Sequence, residues 1–139
     1  MKSLDTNVLA RFFVDDPDDE QAIRQRPAAI AAMADPALVT VTVLLELEWV
    51  MRGFYGLGRD DIARVLRALL SIEHLTVEDR EAAEIALNAF QNGLDFADAL
   101  HLARSGSATA FATFDRSLAK RASGRSLVPP VELLSPPEG

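Results

Sequence analysis

Cysteine is absent from the 139 residues, which excludes a disulfide framework, a zinc–thiolate site and a cysteine nucleophile. The two histidines, His74 and His101, are too few for a histidine-rich metal centre. Long hydrophobic runs are missing as well. The greasiest stretch, residues 37–51, is broken by Glu46 and Glu48 and falls short of the ~20 residues of a membrane span. No Gly-rich phosphate loop of the P-loop type and no Gly-x-Ser-x-Gly elbow occurs. Positive charge is scarce: 14 Lys and Arg stand against 21 Asp and Glu, for a net charge of −7. A protein that coats duplex nucleic acid gains affinity by neutralising phosphates, and this balance counts against one. It does not count against a nuclease whose carboxylates are offset by a bound dication. Met1-Lys2-Ser3-Leu4 leads straight into Asp5 with no apolar region or small-residue cleavage site. The expectation is a soluble, cytoplasmic protein without membrane association.

What is present is a globular composition, 49% hydrophobic and 25% charged, at the length of one domain. Residues 1–134 read as that domain, and the Pro-rich residues 135–139 as a flexible tail. Short apolar runs alternate with helix-length periodic segments. Strands are expected ending at Leu4 and over residues 38–41, 74–77 and 108–113, with a weaker edge strand over 126–131, where Pro129 and Pro130 cannot donate to a ladder. Helices are expected over 7–14, 18–33, 43–54, 59–70, 78–91 and 95–105, and from Asp115 onward. Pro27 should kink or split the second of these. The alternation implies an α/β fold with an open, mostly parallel central sheet of about four to five strands and helices on both faces. Such sheets place their sites at the carboxyl ends of strands.

The polar residues at those ends are mainly acidic. Asp5 follows the first strand and Asp115 the fourth, while Asp98 lies in the first turn of a helix opened by Asp95. Any of these could be a helix cap, since Asp is favoured there. Glu46 resists that explanation. At helical spacing it neighbours Val43, Trp49 and Val50, an apolar stripe on which an unpaired carboxylate needs a partner or a metal. Glu48, by contrast, has Arg52 four residues on and suits a surface ion pair. Converging carboxylates repel one another, and a hard dication relieves that repulsion through oxygen ligands. A carboxylate-held ion suits phosphodiester hydrolysis, because it activates water and neutralises the scissile phosphate.

Leu4-Asp5-Thr6-Asn7-Val8-Leu9, Leu44-Leu45-Glu46-Leu47-Glu48-Trp49-Val50, Asp95-Phe96-Ala97-Asp98-Ala99-Leu100 and Thr113-Phe114-Asp115 occur in this order over nearly the whole chain. Together they resemble the signature segments of PIN-domain ribonucleases, most closely the VapC toxins of bacterial toxin–antitoxin pairs. The resemblance implies a Rossmann-like PIN domain over residues 1–134 and an endoribonuclease dependent on Mg²⁺ or Mn²⁺. Its RNA targets would be structured, such as tRNA or rRNA, and their cleavage would inhibit translation. Asp5 and Asp98 would be the principal metal ligands, with Glu46 completing the pocket and Asp115 binding or positioning a second ion. Thr6, Asn7 and Thr113 would orient carboxylates and water, and Asp95 is first a cap. A homodimer and a cognate VapB-like antitoxin are also implied.

Arg116, Lys120, Arg121 and Arg125 follow the last acid without an acidic residue among them and could hold RNA phosphates. Asp98 and His101 could share a helix face, although hard cations favour oxygen over imidazole. His74 shows no partner and reads as structural. Trp49 is best explained as core or as a subunit interface. Two rival readings remain. One is a PIN-type nuclease in housekeeping RNA processing. The other is a receiver-like Mg²⁺-binding signalling module, which needs a phosphoacceptor Asp at a central strand end and a downstream Lys.

Overall fold

The computed structural model describes residues 1–125 and 127–137. The chain divides into two compact units, Met1–Arg80 and Glu81–Gly139. Residues 138 and 139 of the expected tail, and residue 126 of the expected edge strand, lie outside the described residues.

The first unit runs β1 (Lys2–Ser3), α1 (Thr6–Phe13), α2 (Glu20–Met33), β2 (Ala37–Val39), α3 (Val41–Gly53), α4 (Arg59–Leu70) and β3 (Leu75–Val77). Its strands form a parallel sheet in the order β1-β2-β3, with Lys2 beside Ala37 and Ala37 beside Leu75. Parallel neighbours need crossovers, and helix pairs provide them: α1 and α2 between the first two strands, α3 and α4 between the next two. The core gathers Leu9 and Ala10 from α1, Met33 from α2, Val39 from β2, Leu44, Leu47 and Met51 from α3, and Ile62, Leu66 and Leu69 from α4. The apolar spacing of α4 agrees with the helix expected from sequence, residue for residue.

Two helices differ from expectation. α2 continues through Pro27 without a break. Pro27 is exposed, so the carbonyl deprived of its helical donor can turn to water. In α3 the buried face is Val41, Leu44, Leu47, Glu48 and Met51. Glu46 is exposed and Trp49 keeps 60% of its surface, so Trp49 is not a core residue. The expected roles of the two glutamates are therefore exchanged. Glu48 is only 2% exposed, and its carboxylate accepts from Arg52 Nε at 2.9 Å and from the terminal guanidinium nitrogen at 3.4 Å. The i,i+4 pairing with Arg52 is as expected, but its acid is buried rather than on the surface.

The second unit contains α5 (Arg80–Gln91, whose first residue ends the first unit), α6 (Phe96–Ala103), β4 (Phe111–Thr113), α7 (Arg116–Ala122) and β5 (Val131–Leu133). β4 and β5 pair in parallel, Phe111 beside Val131 and Thr113 beside Leu133. β5 begins where the expected edge strand ends, because pairing starts only after the prolines; Phe111 N–H donates to the Pro130 carbonyl. The core of this unit holds Ala86, Leu87, Phe90, Leu94, Phe96, Leu102 and Leu118, with Phe90 and Phe96 packed edge to face. Among the described residues the five strands are thus all parallel-paired, grouped three and two.

Candidate active site

The sequence Leu4-Asp5-Thr6 folds as the carboxyl end of β1 turning into α1. Leu4 N–H still donates to the Leu38 carbonyl at 2.9 Å, and Asp5 then caps the helix, accepting from Thr6 N–H at 2.8 Å. Asp5 is exposed and Thr6 is buried beneath it in the chain's first turn. One Asp5 oxygen is engaged by the cap, which leaves the other available. Asn7 lines a pocket of about 230 Å³ together with Val8, Arg11, Gln25, Ala28 and Ala29. Arg11 is fixed there by Gln25 Oε1 at 3.0 Å and by the Tyr55 hydroxyl at 2.8 Å, a network that no sequence spacing announced. Glu46 stands exposed on α3, whose N-terminus is held by Thr40 Oγ1 and by Glu78, which accepts from Val41 N–H at 3.1 Å.

The second unit brings three of the expected acids together. Asp95 caps α6 by accepting from Asp98 N–H at 3.2 Å, which leaves the Asp98 carboxyl itself uncommitted to the cap. Asp115 caps α7 by accepting from Leu118 N–H at 3.1 Å. Thr113 Oγ1 accepts from Asp115 N–H at 3.0 Å and so fixes that turn. Burial, then the charges of Asp95 and Asp115, push the Asp98 carboxyl above its ordinary 3.8, and His101 opposes them. A half-buried acid held against two like charges is what a dication would relieve. These side chains would offer such an ion carboxylate oxygens, the ligands a hard ion prefers. Among the described residues, no group of three or more His, Cys, Asp or Glu side chains forms a ready metal cage.

The remaining candidates sort by their partners. Arg121 donates to the Gly93 carbonyl at 2.7 Å, and Arg125 donates to the carbonyls of Arg121 and Asn92, so both tie α7 to the turn before α6. Arg116 and Lys120 are exposed. His74 does have a partner: its Nε2 lies 2.6 Å from the Met33 carbonyl, joining the start of β3 to the end of α2. Phe114, between Thr113 and Asp115, is 67% exposed and was not singled out from the sequence. An aromatic inside a polar turn beside an acid was the signal available.

The strands pair in parallel, and Asp5 and Asp115 follow β1 and β4 as helix caps; comparison with known families supplies the class. Residues 3–124 match the PIN domain. The chain belongs to the PIN-domain family, and its activity is accordingly that of a nuclease acting on nucleic acid. No curated protein and no solved structure matched it. The family assignment sets aside the receiver-like alternative. Among the described residues, no helix is long and apolar enough to cross a membrane.

Proposed function

We propose that the chain is a metal-dependent endoribonuclease and the toxin of a VapBC-type pair, cleaving structured RNA such as tRNA or rRNA and so halting translation. The observation that carries the nuclease reading is the match of residues 3–124 to the PIN domain, supported by the mutual repulsion of Asp95, Asp98 and Asp115. Perturbed acids in such a setting mark functional sites. Asp5 and Asp98 would hold Mg²⁺ or Mn²⁺, with Glu46 and Asp115 completing the acidic set. Exposure of Glu46 suits a group that must reach an ion or a water. When bound, the ion supplies charge neutralisation at the phosphate and acidifies water.

The protein's own contribution is orientation. Helix N-termini fix Asp5 and Asp115, Thr113 sets the Asp115 turn, and Asp95 anchors the first turn that carries Asp98. Thr6 and Asn7 would steady Asp5 and nearby water. The nuclease domain would span residues 1–134, act in the cytoplasm, pair as a homodimer and be silenced by a VapB-like antitoxin. Exposed Trp49 offers apolar surface for such pairing.

Purified, antitoxin-free protein is incubated with total cellular RNA in Mg²⁺ or Mn²⁺ and in chelator, beside Asp98→Asn and Asp5→Asn. Discrete fragments that require both the metal and the two acids are expected. Full cleavage by either variant would overturn the site, and no cleavage by folded wild type would overturn the reading. Growth arrest on expression, relieved by a neighbouring gene product, tests the toxin role. An active nuclease without arrest would belong to housekeeping RNA processing.

A further inference from the structure

The turn between β4 and α7 exposes a phenyl ring. Phe114 is 67% exposed, although a polar residue would serve the turn equally well and leave less apolar surface in water. Aromatic pairing in this unit is made by Phe90 and Phe96. The backbone on either side of Phe114 is firmly held. Leu134 N–H donates to the Thr113 carbonyl at 2.7 Å, Asp115 N–H donates to Thr113 Oγ1 at 3.0 Å, and Asp115 caps α7. An exposed ring on a fixed backbone loses little further freedom when something stacks on it.

The charges beside it are informative too. Of the cations on and after α7, Arg121 and Arg125 are committed to backbone carbonyls. Arg116 and Lys120 are exposed and one helical turn apart, on one face of α7. An aromatic platform with two cations spaced along one face is the pattern that binds unpaired nucleotides: the ring takes a base, the cations take phosphates. Asp115, one of the acids of the proposed site, adjoins the ring in sequence and caps α7, so the strip begins at that acid.

We infer that Phe114 is a base-stacking platform for an unpaired nucleotide of the RNA substrate, flanked by phosphate contacts from Arg116 and Lys120. The inference rests on the nuclease reading and adds to it a preference for a single-stranded nucleotide next to the cleaved bond. A protein partner seated on the same ring is the competing occupant.

The test measures binding of a short fluorescein-labelled single-stranded RNA to the Asp98→Asn protein in Mg²⁺ by anisotropy. Phe114→Ala in that background should weaken binding about 5- to 150-fold. Phe114→Trp should retain affinity and Phe114→Leu should not, because stacking requires a π face. Arg116→Gln and Lys120→Gln should each flatten the dependence of log affinity on log salt by about 0.7. Melting temperatures should barely move, the ring being exposed. Equal RNA affinity in Phe114→Ala, or full affinity in Phe114→Leu, would overturn the inference while leaving the nuclease intact. A change in self-association with RNA affinity unchanged would assign the ring to a protein partner instead. Absence of RNA binding by the parent together with absence of RNA cleavage by wild type would bring down the nuclease reading itself, and this inference with it.

Discussion

Arg52→Ala should destabilise the protein more than its exposed position suggests, and the reason lies on the other side of the pair. Arg52 is 51% exposed, but the carboxylate it holds is 2% exposed, on the core face of α3 beside Leu44, Leu47 and Met51. Removing one member of a fully buried pair costs ~3–5 kcal/mol, because a charge is left without compensation. Here water can enter the space vacated by a half-exposed guanidinium, and the penalty falls to about 2–3 kcal/mol. Glu48→Leu removes the buried charge itself and fills its space, and should cost only about 0–1 kcal/mol. Once that charge is gone, Arg52→Ala should add little. Arg52 has a further interaction besides this pair, and a double-mutant cycle subtracts it. Urea unfolding of the four proteins gives the coupling energy, expected at about 1.5–3 kcal/mol. In thermal unfolding, Arg52→Ala should melt roughly 6–12 °C below wild type, while the double variant should lie close to Glu48→Leu. An Arg52→Ala loss within about 0.5 kcal/mol of zero, as for an ordinary surface residue, would refute the reasoning.

Asp98 makes the opposite prediction. Its folded carboxyl is raised above the ordinary 3.8, so between those values the native state holds a proton that the unfolded chain has released. Stability of metal-free protein should therefore fall as pH rises through that window. Asp98→Asn should be the more stable protein at neutral pH, with its advantage vanishing below the unfolded carboxyl's range and shrinking when Mg²⁺ or Mn²⁺ is added to wild type. Chemical denaturation across pH measures this, and a variant no more stable than wild type at pH 7 would contradict it. Arg121→Ala should cost about 0.5–1.5 kcal/mol and speed hydrogen exchange around Asn92 and Gly93, while leaving the salt dependence of RNA binding alone. A flattened salt dependence would return Arg121 to the phosphate contacts.

Elements with one clear apolar stripe were legible in the sequence. α4 was read to its terminal residues because Ile62, Leu66 and Leu69 repeat at helical spacing between a glycine and a serine. The acids were legible as residues that follow strands or open helices, and Asp5, Asp95 and Asp115 indeed sit at helix N-caps. Which face of α3 is buried was not legible. Both stripes of that helix carry aliphatic residues, so periodicity cannot rank them, and the packing of α3 against α1 and α4 decides. That ambiguity exchanged Glu46 with Glu48 and left Trp49 between core and subunit interface, of which its exposure excludes the core. Pro27 misled because its cost depends on whether the carbonyl it orphans meets water, which is a property of the folded surface. The partners of His74, Arg121 and Arg125 are backbone carbonyls, and a backbone acceptor leaves no mark in residue identity.

The caps at Asp5 and Asp115 tie two properties to the same atoms. Each carboxylate that would serve the chemistry also starts the helix that carries the following segment, by accepting an N–H at 2.8 Å and 3.1 Å. Loss of either acid to an apolar residue therefore removes a helix start, at about 0.5–2 kcal/mol, along with any reactivity. Asparagine keeps the start and removes only the charge. In a drifting population of this gene, chemically dead variants carrying apolar residues at these two positions would then be depleted twice, once for lost activity and once for lost folded protein, whereas Asn variants would be depleted once. Selection for abundance alone would hold a capping side chain at both positions, and replacement of these acids by Asn rather than by apolar residues would mark lineages where the reaction had ceased to matter.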